Sequence, residues 1–163
     1  FLAMKCRLVR IGAEFHRPVR NFPPALAQPP QPTVSFADGY PLLVISEASL
    51  TDLNNRLAAQ GEDPVPMDRF RPNLVVAGCP AYAEDTWPRF RIGAIGLLSA
   101  GPCGRCVVTT TDQRTAERHA EPLRTLARYR RDPLDPTEVN FGQNLIPETP
   151  RGTLRVGDPV VLL

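Results

Sequence analysis

The sequence has 163 residues, 42% of them hydrophobic and 22% charged, with a formal net charge of +2. That length suffices to bury the core of one domain, and so small a charge gives no case for a nucleic-acid partner. No run of 18 or more apolar residues occurs, which excludes a helical membrane span. The chain opens on Phe1 with no charged-then-apolar leader, so it reads as a segment of something longer. Lys5 is the only lysine. Arginine supplies forked donors suited to phosphate and carboxylate, but a GC-rich coding sequence produces the same bias.

In chain order, Cys6 to Ile11 is expected to be a short strand, and Pro18 to Pro32 an extended proline-rich linker. Leu42 to Ile45, bounded by Asp38, Gly39 and Pro41, predicts a buried strand. Ser49 three residues before Asp52 has capping-box spacing, and Leu50, Leu53 and Leu57 recur at helical spacing. The helix is placed at Ser49 to Gln60, with Gly61 as its stop. Asn73 to Ala77 is a further apolar run, and Phe90 to Ile92 with Ile95 to Leu98 form a hairpin around Gly93–Ala94. The β-branched run from Cys106 to Thr111 predicts a strand, with a turn at Thr111 to Arg114. Glu121 to Arg131 predicts a second helix with Pro122 in its first turn. Gly152 to Leu163 reads as two strands around Gly157–Asp158. Many short strands with two short helices favour a mainly β, α+β curved sheet or barrel over a doubly wound parallel sheet.

The one close cysteine pair, Cys103 and Cys106, is the candidate for chemistry. Structural zinc needs four ligands, and His16 and His119 lack finger spacing. A thioredoxin-type pair leads into a helix, whereas this one leads into the strand-like Val107–Val108–Thr109. Two packed core thiols remain an alternative. Pro102 and Gly104 suggest a loop–strand junction, and Arg105 beside Cys106 favours its thiolate, the form that ligates soft metals. Arg71 is suited to clamping a phosphate or to a solvated surface. Gln143 and Asn144 suit a heterocycle edge or an ordinary loop. Glu84 and Asp85 read as a hydrated turn, with no Ser–His–Asp order to support hydrolysis.

The segments Ser46–Glu47–Ala48–Ser49–Leu50, Phe70–Arg71–Pro72–Asn73, Ala83–Glu84–Asp85–Thr86–Trp87, Cys103–Gly104–Arg105–Cys106, Phe141–Gly142–Gln143–Asn144–Leu145 and Val156–Gly157–Asp158–Pro159 occur in this order. Together they resemble the MOSC domain, named for the C-terminal part of molybdenum cofactor sulfurase. Within it they are most like the amidoxime-reducing components and their bacterial relatives. The resemblance runs from about Cys6 to the end. It implies one MOSC domain over residues 1–163, the C-terminal part of a longer protein, with entry strand and linker over 1–32 and a barrel core over 33–163.

It further implies a molybdenum–molybdopterin cofactor whose metal is bound by Cys106. Asp38, Gly39, Tyr40, Arg71, Asn73, Gly104, Arg105, Gln143 and Asn144 are then expected at the cofactor, with Asp85 as a proton-handling or site-lining residue. The implied activity is reduction of N-hydroxylated small molecules, the alternative being a non-catalytic cofactor or sulfur-carrier module. Implied partners are an N-terminal MOSC subdomain and an electron donor, either ferredoxin-like or cytochrome b5-like with a flavin reductase. Pyridoxal phosphate binding, associated with the family, and a bacterial cytoplasmic location complete the expectations.

Overall fold

A computed structural model of the chain describes residues 5, 7, 9–12, 14–19, 32–35, 37, 39–148 and 151–163. Six strands, β1 (Leu42–Ser46), β2 (Leu74–Val76), β3 (Arg89–Ile92), β4 (Ile95–Gly104), β5 (Asn140–Pro147) and β6 (Val160–Leu162), form one curled sheet in the order β2-β1-β5-β4-β3-β6. All pairings are antiparallel except β1 with β2, which run parallel and are joined through helix α1 (Glu47–Ala58). The α+β curved sheet expected from the sequence is therefore observed. No helix among the described residues is long and apolar enough to cross a membrane.

Strand β1 explains its own composition. Leu43 and Ile45 pack into one cluster with Leu53, Leu57, Phe70 and Phe141, while Val44 joins Trp87, Phe90 and Leu97 in another. Side chains alternate across a strand, so a strand buried on both faces reads as a continuous apolar run. Neighbouring β5 passes so close to it that an added Cβ on Gly142 would lie 2.6 Å from Ile45 Cγ1 and 2.8 Å from the Val44 carbonyl. With φ at +84°, that position admits only glycine without strain. Tight packing, rather than loop flexibility, is the reason for this residue.

Helix α1 starts earlier than its capping-box spacing suggested. Ser46 is the cap, its Oγ accepting from the Ser49 amide at 3.0 Å. Ser49 instead donates its hydroxyl to Glu84 Oε1 at 2.7 Å, and Asp52 pairs with Arg56 at 2.6 Å, one turn on. The hairpin β3–β4 turns at Gly93–Ala94 as expected.

Several local expectations are corrected. Val107–Thr110 is a single 3-10 turn, not a strand, because Thr109 and Thr110 donate their hydroxyls to the Cys106 and Val107 carbonyls at 3.0 and 2.7 Å. Hydroxyl-to-backbone bonds of this kind compete with strand pairing and here outweigh the β-branched preference. The second helix, α2, is one turn, Leu123–Leu126. The chain leaves it because Arg131 bridges Val139 and the Arg130 carbonyl accepts from the Asn140 amide at 2.8 Å. The C-terminal segment supplies one strand, β6, rather than two. Arg7, Val9, Arg10 and Ile11 carry no strand; Cys6 and Leu8 lie outside the described residues. Pro23, Pro24, Pro29 and Pro30 also lie outside them, but the ends of that segment are pinned by a Pro18–Thr33 bridge.

Candidate functional site

Strand β4 carries two register shifts against β5, at Ser99/Gly101 and Pro102/Gly104. Bulges re-aim side chains at the end of a strand. Just past them the chain delivers Cys103, Gly104, Arg105 and Cys106 to the wall of an open cavity of about 600 Å³. The rest of the lining comes from the segment leading into β1, with Gly39, Tyr40 and Pro41, and from Arg69, Phe70, Arg71 and Asn73 ahead of β2.

Three arginines give this cavity its character, and the backbone holds each differently. Arg71 sits in the left-handed region at φ 54°, a conformation costing a non-glycine residue about 1 kcal/mol. Asn73 fixes the chain beyond it: its amide donates to the Leu43 carbonyl at 2.9 Å, and its Oδ1 accepts from the Leu43 amide at 2.8 Å. Residues kept in such backbone regions cluster at functional sites. Arg69 is only 8% exposed and pairs through Nη2 with Asp112 at 2.7 Å. The amides of Arg114 and Thr115, and the Arg69 guanidinium, hold the Asp112 carboxyl below its usual range.

Arg105 is hydrogen-bonded to Cys103 rather than to its sequence neighbour Cys106. Its Nη1 donates to Cys103 Sγ at 2.9 Å, its Nη2 donates to the Phe70 carbonyl at 2.7 Å, and the guanidinium stands 5.5 Å from the Phe70 ring centre. It is thus the sulfur of Cys103, not of Cys106, that it touches. The Nε atoms of both Arg69 and Arg105 are buried with no partner among the described residues. Buried polar groups are paired as a rule, so two unpartnered guanidinium nitrogens in residues that line one cavity leave those arginines with unused donor capacity, as an anion site requires.

Cys106 is exposed at the cavity and caps the Val107–Thr110 turn. That turn removes the strand premise used against a thioredoxin-type pair. The geometry still differs from one, because Cys103 lies in β4 and only a single 3-10 turn follows Cys106, too short for a substantial dipole. Among the described residues no group of three or more His, Cys, Asp or Glu side chains could hold a metal ion.

Of the residues singled out in the sequence, Gly39, Tyr40, Arg71, Asn73, Gly104, Arg105, Cys106 and Asn144 line this cavity together. Asp38 lies outside the described residues. Gln143 and Asp85 do not line it. Adjacent residues on a strand face opposite ways, so when Asn144 reaches the Pro102 carbonyl at the cavity (3.0 Å), Gln143 turns inward. There Gln143 Nε2 donates to Asp85 Oδ1 at 3.0 Å, and Arg130 donates to Asp85 Oδ2 at 2.6 Å. Both Asp85 oxygens are thus engaged away from Cys106. Arg69, Phe70, Cys103 and Thr109 are lining residues that sequence reasoning did not assign to the cofactor. Alternation of the apolar run around Arg69 offers no signal, since that segment is a 3-10 turn, Met67–Phe70. Lys5, the only lysine, is not among the lining residues, so no amine is present there for pyridoxal phosphate.

The family model described as the MOSC domain matches residues 31–161. Mitochondrial amidoxime-reducing component 1 of Homo sapiens is 44% identical over 142 residues, 82% of this chain and 40% of that protein. The Mus musculus protein of the same name is 46% identical over 138 residues, covering 80% and 38%. Mitochondrial amidoxime reducing component 2 of Macaca fascicularis is 41% identical over 152 residues, covering 88% and 43%. The chain thus spans about two fifths of the length of these curated relatives. The expected bacterial cytoplasmic location is overturned: these relatives are mammalian proteins named as mitochondrial.

Proposed function

The chain belongs to the MOSC domain family, and from that membership and its cavity we propose that it holds a molybdenum–pterin cofactor, with the Cys106 thiolate as the protein's one ligand to the metal. The observation that carries this is the donor set: one exposed thiol beside two buried, unpartnered guanidinium nitrogens. A soft thiolate suits a soft or high-valent metal. Forked guanidinium donors suit a phosphate. Among the described residues no cluster of protein ligands competes for a bare ion, which fits a metal already chelated by an organic group.

In this reading Arg69 and Arg105 bind the cofactor's phosphate, joined by Arg71 at the cavity edge, while the amide side chains of Asn73 and Asn144 fix the wall. When bound, the group supplies the two-electron redox chemistry; the protein supplies ligation, orientation and proton access. Asp85, committed to Arg130 and Gln143, is a positioning residue for the β5 wall rather than the proton source.

The relatives are named for reducing amidoximes, and we infer the same class of substrate here, extended to N-hydroxylated compounds in general. Reduction of such a compound breaks the N–O bond with two electrons and two protons and releases water. The electrons come from a separate donor, ferredoxin-like or cytochrome b5-like with a flavin reductase, and a further MOSC subdomain completes the pocket. Full-length protein, purified with that subdomain from cells able to make the cofactor, is expected to convert an amidoxime to the amidine when a chemical reductant is supplied. Failure to turn over any amidoxime or hydroxylamine, together with a persulfide on Cys106, would instead establish a sulfur-carrier role.

A further inference from the structure

The cavity contains two thiols, and the proposed function uses only Cys106. Cys103 is half-buried in β4, and its sulfur is doubly engaged: it accepts from Arg105 Nη1 at 2.9 Å and donates to the Gly104 carbonyl at 3.8 Å. Arg105 is held at three further points, by the Phe70 carbonyl, by the Phe70 ring, and by its own amide donating to the Val139 carbonyl at 2.7 Å. An unrestrained arginine samples many rotamers, and its value as an anion donor rests on losing little of that freedom on binding. The Phe70 carbonyl fixes one end of the guanidinium, and Cys103 Sγ fixes the other. What is left over is the buried, unpartnered Nε of a residue that lines the cavity.

We propose that Cys103 is a positioning residue for Arg105, holding its guanidinium ready for an anion, and that it is not a second metal ligand. The two thiols therefore divide their roles. Cys106 is free and exposed, whereas Cys103 is an acceptor built into the arginine's seat. This rests on the reading of the cavity as an anion site.

The test is calorimetric titration of the purified protein, made in cells lacking the cofactor, with inorganic phosphate at low, fixed ionic strength. Losing one hydrogen bond of ordinary strength predicts that Cys103→Ala weakens phosphate binding about fivefold, and loss of the charged donor itself predicts that Arg105→Ala weakens it about tenfold or more. Cys103→Ser keeps an acceptor and is expected to stay within about twofold of the parent. The double variant Cys103→Ala/Arg105→Ala should bind no more weakly than Arg105→Ala alone, because the thiol acts only through the arginine. Cys103→Val removes the acceptor at similar volume and carries the same expectation as alanine if that variant does not fold. Parent-like binding by both Cys103→Ala and Cys103→Val, with Arg105→Ala impaired, overturns the positioning role and leaves the anion site standing. Parent-like binding by Arg105→Ala removes the anion site and the positioning role together.

Discussion

The cysteine pair shows how far single residues were legible. Spacing marked Cys103 and Cys106 as the place to look, and both do line the cavity. Which thiol the arginine serves was not legible, because Arg105 is adjacent to Cys106 in sequence but folds back to Cys103 through its contact with Phe70, 35 positions away. Gln143 and Asn144 failed in the same way: neighbours in sequence are on opposite faces of a strand, and only one reaches the site. The exposure difference between thiols has a direct consequence. Iodoacetamide is expected to label Cys106 ahead of Cys103 and Cys79, the last being a thiol pushed up first by burial and then by the nearby Glu84 charge. Peptide mass spectrometry over a time course checks the order, and prior labelling of Cys103 would contradict it.

At the scale of elements, apolar patterning located β1, β2 and the β3–β4 hairpin around Gly93–Ala94, but it missed the central strand β5, whose Asn140, Gly142, Gln143 and Asn144 break the apolar pattern and read as a loop. It also missed the elements that side-chain hydrogen bonds decide, namely the 3-10 turn after Cys106 and the true cap of α1. Glu84 illustrates the second. Read in the sequence as half of a hydrated turn, it is 1% exposed and accepts from the Ser46 amide at 3.0 Å and the Ser49 hydroxyl at 2.7 Å. It thereby ties the Ala83–Thr86 turn to the start of α1, where negative charge is also favoured by the helix dipole. Glu84→Ala removes both bonds and strands a buried amide, so urea unfolding should show a loss on the order of 3 kcal/mol. A loss under about 1 kcal/mol would show that the turn does not depend on it.

For the whole molecule, titration sets the limits of stability. Arg56 holds the Asp52 carboxyl below its usual range against partial burial, with help from Tyr82. The Asp132 carboxyl is lowered by the Leu134 amide first and then by Asn140. A carboxyl lowered by folding binds fewer protons in the native state, so its contribution is present above about pH 4 and is lost as the pH falls further. Burial raises the Tyr82 and Tyr129 hydroxyls, and Tyr82 is raised further by its bonds to Tyr129 and Asp52. The native state then binds more protons at high pH, and stability falls above about pH 10. Thermal unfolding across pH should therefore show a plateau between those limits; a maximum confined to acid conditions would contradict it.

The fold class and most of one cavity wall could be read from the sequence, because short strands and ordered motifs are local features. The other half of the chemistry, a buried arginine paired with Asp112 and a thiol seating Arg105, arises from contacts between distant segments. The central claim is that this wall presents Cys106 alone to a metal. Elemental analysis of the full-length protein, purified with its further MOSC subdomain from cells able to make the cofactor, tests it most directly. The account predicts about one molybdenum per chain in the parent, retention of most of it in Cys103→Ser, and its loss in Cys106→Ser. A parent without molybdenum, or a Cys106→Ser variant that keeps it, would contradict the account.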